Sequence, residues 1–222
     1  MSNTSLIIGE SGTGKSSSLR NLDCKETFII NVLDKPLPFK GYKKNYQRVS
    51  QDWLSGNYCA SDDYDAIIRA IKFVDKKRMD IKTLIIDDFQ YVMSNEFLTS
   101  KEKGYEKFTS IGKHAWEILH ALTTCRADLD CFVLSHSDID ANGRSKIKTI
   151  GKMLDEKVTI EGMFTIVLHT MVREGNYLFL TQNDGTHIAK SPMGMFQDKY
   201  IENDLAFIKS QMNNYYNEDI AI

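Results

Sequence analysis

The chain has 222 residues with ordinary apolar and charged fractions, 42% and 26%, enough to bury a sizeable core in one domain spanning 1–222. Its formal net charge of −2 gives no global attraction to nucleic acid, so any such binding has to come from a local basic patch. There is no long apolar stretch, and the N-terminus carries neither the basic start nor the apolar segment of a signal peptide, so no membrane role is expected and the expected location is the cytoplasm.

The first predicted element is a strand over 4–8, and the octapeptide after its apolar run Leu6-Ile7-Ile8 is the most informative part of the chain. Gly9, Glu10, Ser11, Gly12, Thr13, Gly14, Lys15 and Ser16 fit the pattern G-x-x-x-x-G-K-[ST] at every fixed position. Glycines let such a loop turn tightly, with its N–H groups aimed at phosphate oxygens and no Cβ in the way. A helix beginning near Ser16 adds the positive end of its dipole. Lys15 is placed to reach the β- and γ-phosphates and Ser16 to ligate Mg²⁺, with Ser17 counted among the nucleotide-binding residues of the loop. The glycine spacing, with Asp34 about twenty residues on, also suits a dinucleotide fold, but the Lys-Ser pair decides against it.

Further strands are expected near 27–33, 46–49, 82–87, 131–136, 163–171 and 177–182, with a short last one near 186–190. Asn183-Asp184-Gly185 reads as the hairpin turn before it. Apolar spacing places helices around Ile67, Ile68, Ile71 and Val74, around Phe108, Ile111, Ala115, Ile118, Leu119 and Leu122, and over 150–158 and 202–216. Strands alternating with helices predict an α/β fold with a mostly parallel sheet flanked by helices and a C-terminal antiparallel hairpin. Segments 35–41, 100–104 and 137–148 read as mobile loops. Cys24, Cys59, Cys125 and Cys131 match no zinc or redox spacing and read as buried thiols.

Thr83-Leu84-Ile85-Ile86-Asp87-Asp88 supplies a strand ending in two acids. Asp87 is the candidate Mg²⁺ ligand beside Ser16, and the adjacent Asp88 is one candidate to activate water. Asp34, at the end of the second strand, is the other, with a turn cap ahead of Lys35-Pro36 as its plainer role. The separation of loop and acid suits the branch of phosphate-loop ATPases with an extra strand between the two motifs. His136, ending the strand Cys131 to Ser135, can touch the γ-phosphate or the attacking water.

GESGTGKS at 9–16, KPLPFKG at 35–41, LIIDDF at 84–89, VLSHSD at 133–138 and YLFLTQNDGTHIAKSPMGMF at 177–196 together resemble the phage RecA-like nucleotide-binding proteins of the AAA-domain type, including those related to phage single-strand annealing recombinases. The resemblance implies a RecA-like P-loop core that hydrolyses ATP with Mg²⁺ and assembles as a homo-oligomeric ring or filament. It also implies Asp34 as the position of the catalytic acid in RecA-like proteins, and Lys190, with Arg173 as a weaker second, as the cation supplied to a neighbour's phosphates. The loop after His136, with Arg144, Lys146 and Lys148, falls where such recombinases contact single-stranded DNA. Phage recombination or replication proteins are the implied partners, in the infected host's cytoplasm. The chain departs from the recombinases in lacking a basic arm and a separate DNA-binding domain, which bears on strand exchange more than on the ATPase. A small-molecule or nucleotide kinase and a nucleotide-stabilised scaffold with little hydrolysis are the competing functions.

Overall fold

The computed structural model describes residues 2–151, 154 and 157–218. Its centre is a nine-stranded sheet in the order β3-β2-β4-β5-β1-β7-β8-β9, with β6 paired to β5 off that path. The strands are β1 (Thr4–Gly9), β2 (Thr27–Asn31), β3 (Tyr58–Ala60), β4 (Thr83–Asp87), β5 (Asp130–Ile139), β6 (Ser145–Ile147), β7 (Ile166–Arg173), β8 (Asn176–Leu180) and β9 (Tyr200–Glu202). The six from β3 to β7 in this order are mutually parallel, while β8 and β9 run antiparallel at the far side. This is the α/β architecture of a P-loop NTPase. β5 lies between β1 and β4, so one strand separates the loop-bearing strand from the acid-bearing one, as the spacing of the motifs suggests.

Successive residues of β1 face opposite sides, and each side has its own core. Leu6 and Ile8, with Phe28 and Ile86, pack under α2 (Tyr64–Lys77), α3 (Gln90–Thr99) and α4 (Gly104–Thr123). Ile7, Ile29 and Leu168 face the other way, against Leu19 and against Leu205, Ile208 and Met212 of the C-terminal helix (Leu205–Glu218). Because both faces are covered, β2 and β4 have no exposed residue and read as continuous apolar runs. α2 begins where the Asp63 carboxylate accepts the Ala66 N–H at 2.7 Å, a side-chain N-cap.

Several expectations are corrected. Residues 46–49 form no strand: a short helix, α1 (Tyr42–Asn45), precedes them, and the Asn57 side chain and backbone absorb both polar groups of Gln47. The sheet is instead extended by β3, which pairs with β2. The helix expected to begin near Ser16 does begin there, as a six-residue 3-10 helix, Ser16–Asn21. Asn183-Asp184-Gly185 does not turn a hairpin, because the Asp184 carboxylate accepts the N–H groups of Thr186 and His187, which a ladder would have used. Only isolated bridges remain near 186–190, and the hairpin is β7–β8, turning through Glu174 and Gly175 with β9 added to its edge.

The loop expected over 137–148 is an ordered hairpin of β5 and β6, closed where Asp140 accepts from the N–H groups of Asn142 and Arg144. Residues 152, 153, 155 and 156 of the helix expected over 150–158 lie outside the described residues; Leu154 is buried. The four cysteines are free thiols, three of them buried. Among the described residues no helix is long and apolar enough to cross a membrane.

Candidate nucleotide-binding site

The parallel strands β1, β4 and β5 end side by side, and their register carries the chemistry to one edge: Gly9 lies opposite His136 across the β1–β5 pair, and Asp87 ends β4 on the far side of β5. Ligand sites of open α/β sheets form at the carboxyl ends of the strands. Here a cavity of about 310 Å³ opens, lined by Lys15, Ser16, Lys35, Asp88, His136 and Tyr177 among others.

The loop's path requires its glycines. Gly12 and Gly14 have φ of +80° and +97°, the left-handed region that residues with a Cβ avoid. At Gly9 the constraint is contact: an added Cβ would stand 2.0 Å from Thr170 Oγ1 on β7. Thr170 Oγ1 in turn shares a 2.6 Å hydrogen bond with Thr13 Oγ1, which clasps the loop to β7.

Lys15 donates to the carbonyls of Gly9 and Glu10, both at 2.7 Å. Burial lowers its pKa to about 8, against the pull of Asp88 and Asp87. Ser16 Oγ donates to Asp87 Oδ1 at 3.0 Å. Asp87 is fully buried, its Oδ2 has no hydrogen-bond partner among the described residues, and burial with the neighbouring Asp88 pushes its pKa up to about 6. A hydroxyl oxygen beside a buried, half-satisfied carboxylate is the donor set a small hard cation uses. No group of three or more His, Cys, Asp or Glu among the described residues forms a self-contained metal site. A cation between Ser16 and Asp87 would therefore complete its shell with phosphate oxygens and water, which is how Mg²⁺ is bound in phosphate sites.

Asp88 is buried and its backbone turns left-handed, φ 64°, directing the carboxylate into the pocket instead of along the strand. There it forms an ion pair with Lys35 and lies 3.8 Å from His136 Nε2. His136 is placed by Gln90, whose Oε1 accepts from its backbone N–H at 3.0 Å. Burial and the Lys15 ammonium lower the imidazole's pKa, so His136 is neutral near pH 7.

The other expected residues lie elsewhere. Asp34 pairs with Arg48 at 2.5 Å, accepts from Tyr58 OH at 3.2 Å, and borders a separate groove beside the phosphate pocket. Lys190 is exposed, and its main chain exchanges two 2.8 Å hydrogen bonds with Val167, nearer the start of β7 than Thr170. Arg173 lies over the Tyr200 ring at 3.8 Å, and Arg144 is paired with Asp140 at 3.2 Å. Lys148 donates its backbone N–H to the His136 carbonyl at 2.8 Å, tying the hairpin base to the site.

Sequence reasoning missed Lys35, Gln90, Thr170 and Tyr177. Lys35 stands right after the second strand, and a cation at a parallel strand's carboxyl end was a usable signal. Thr170 and Tyr177 come close only through the β1–β7–β8 pairing, which no local pattern reports.

A search of curated proteins finds no match to the chain. The AAA domain family matches residues 1–193, a stretch holding every residue of the phosphate pocket named above. Membership carries nucleotide binding of the ATPase type, in agreement with the loop, the paired acids and the sheet order; the chain belongs to the AAA domain family.

Proposed function

We propose that the protein is a Mg²⁺-dependent ATPase of phage DNA recombination or replication, working as a homo-oligomer on single-stranded DNA. The observation that carries the enzymatic part is the meeting of Lys15, the Ser16–Asp87 pair, Asp88 and His136 in one pocket. Lys15 and the loop amides hold the triphosphate. Ser16 and Asp87 hold the cation, and Mg²⁺, when bound, neutralises charge that builds on the phosphates. Asp88 accepts the proton of the attacking water, and neutral His136, 3.8 Å from it, orients that water or the γ-phosphate. Asp34 is the less favoured base because it borders the neighbouring groove, while Asp88 lines the phosphate pocket itself. Lys190 of a neighbouring subunit supplies the transition-state cation, a reading supported by its exposure and by its lying outside the lining of its own phosphate pocket.

ATP turnover tests this. Asp88→Asn is expected to lower kcat by roughly 10²- to 10⁴-fold, the usual worth of a general base. Turnover per subunit is expected to fall on dilution through the assembly range; a flat profile there sinks the shared site. One observation favours the scaffold with little hydrolysis as a second reading: the Lys35 ion pair occupies the carboxylate that must take the water's proton. Under that reading Asp88→Asn leaves assembly and turnover unchanged, while Lys15→Ala abolishes assembly.

A further inference from the structure

Beside the phosphate pocket, and sharing Ser17 and Tyr177 with it, lies a second cavity of about 590 Å³, lined by Arg20, Tyr177, Tyr200 and Asn203 among others. Asp88 and His136 line only the first cavity. The second is therefore where a nucleotide held by the loop would extend on the side away from its γ-phosphate. Its size falls within the ~300–1,000 Å³ range of small-molecule sites.

The polar chemistry of this cavity is unfinished. Asn203 is 1% exposed, yet neither its amide nitrogen nor its side-chain oxygen has a hydrogen-bond partner among the described residues. A buried carboxamide with donor and acceptor both unused is unfavourable, and a ligand supplying both partners at once relieves it. The residue is firmly held. Its backbone N–H donates to the Tyr177 carbonyl at 3.3 Å, and its own carbonyl accepts from Arg20 Nη1 at 2.5 Å. Its side-chain amide would lie 3.2 to 3.3 Å from a Cβ placed on Gly14, so it sits immediately against the phosphate loop.

Two tyrosines line the cavity, but Arg173 already covers the face of Tyr200. Tyr177 is 51% exposed and lies where the two cavities join.

We propose that this second cavity is a nucleobase pocket that takes adenine. Tyr177 stacks on the ring, and Asn203 reads one edge, Oδ1 accepting from the 6-amino group while Nδ2 donates to N7, the bidentate match of this side chain to this base. The proposal rests on the loop holding the phosphates, so its test includes a ligand with phosphates and no base.

Equilibrium binding of ATP, GTP, purine riboside triphosphate, which lacks the 6-amino group, and inorganic tripolyphosphate is measured by calorimetry. The wild type is expected to prefer ATP to the other two nucleotides by roughly 5- to 150-fold, the range expected of a bidentate base contact. Asn203→Ala should lose that preference and bind tripolyphosphate as the wild type does. Tyr177→Ala, at a half-exposed position, should weaken all three nucleotides by a larger factor than tripolyphosphate, whose binding the residue touches only at the pocket's edge; it carries the test alone if Asn203→Ala does not fold, and equal losses of nucleotide and tripolyphosphate in it would then overturn the base pocket. Equal losses of ATP and tripolyphosphate in Asn203→Ala would mean that Asn203 only props the loop, and would overturn the base pocket. Unchanged nucleotide preferences in both variants would overturn it too. A wild type that binds no tripolyphosphate sinks the phosphate-loop reading and this proposal with it.

Discussion

His169 on β7 is 4% exposed, and neither ring nitrogen makes a well-formed hydrogen bond among the described residues. Burial, then the His187 ring 4.6 Å away, lowers its pKa to about 4, outweighing the Asp184 carboxylate behind His187. The imidazole is therefore buried neutral. As pH falls from the ordinary histidine value near 6.5, the unfolded chain takes up a proton that the native state refuses until about pH 4. Stability present at neutral pH is lost across that window, by about 3 kcal/mol at most, given ~1.4 kcal/mol per pK unit. His169→Leu should remove this loss: urea midpoints at pH 7 and pH 4.5 are expected to lie closer together in the variant than in the wild type. Equal gaps would show that His169 is protonated in the native state. This histidine was invisible as a buried group in the sequence, where it sits inside an apolar run with nothing to mark which face it takes. Lys15 and Ser16 were legible as neighbours in the pocket because the phosphate-loop pattern fixes their spacing, and Asp87 because it ends an uninterrupted apolar strand. Asp88 was legible as one of two candidates, and the left-handed turn that brings it inward was not.

Among the elements, the join between β1 and β7 sets the loop's position. Gly9 is the last residue of β1, and a Cβ there would stand 2.0 Å from Thr170 Oγ1 and 2.9 Å from the Thr170 carbonyl. The hydroxyl could swing away, but the carbonyl belongs to the strand and cannot. Gly9→Ala should thus spread β1 from β7 and cost roughly 1–3 kcal/mol, the usual penalty of overpacking. Thr170→Ala in the same chain should recover only part, since the backbone clash persists. Thermal unfolding of the single and double variants measures this, and full recovery would place the conflict in the hydroxyl alone. Parallel strands were the most readable elements, because burial on both faces leaves uninterrupted apolar runs such as Leu84-Ile85-Ile86. The segments misread were those where a side chain captures backbone groups. Asn57 at Gln47 and Asp184 at Thr186 and His187 each replace a ladder that the local pattern favoured.

At the scale of the whole molecule, a net charge of −2 leaves the proposed DNA binding to local features. The β5–β6 hairpin begins directly after His136, and Lys148 at its base hydrogen-bonds the His136 carbonyl, so a strand lying on the hairpin is mechanically close to the γ-phosphate end of the pocket. Its charge is modest: Lys146 is registered opposite Asp138 across the β5–β6 pair, and Arg144 is held by Asp140. Three phosphate contacts on a single strand correspond to a slope of about −2 in log K against log salt, at ~0.7 per contact. Changing Arg144, Lys146 and Lys148 together to Ala should flatten that slope by about the same amount in fluorescence-anisotropy titrations with a labelled oligonucleotide. It should also weaken any stimulation of ATP turnover by DNA, while turnover without DNA stays at the wild-type level, because none of the three side chains lines the phosphate pocket. The rest of the surface provides the comparison. Residues 35–51 carry Lys35, Lys40, Lys43, Lys44 and Arg48 without a single acid. If the hairpin variant keeps the full salt slope while Lys43→Ala with Lys44→Ala lowers it, the strand runs over that segment and the hairpin reading is wrong.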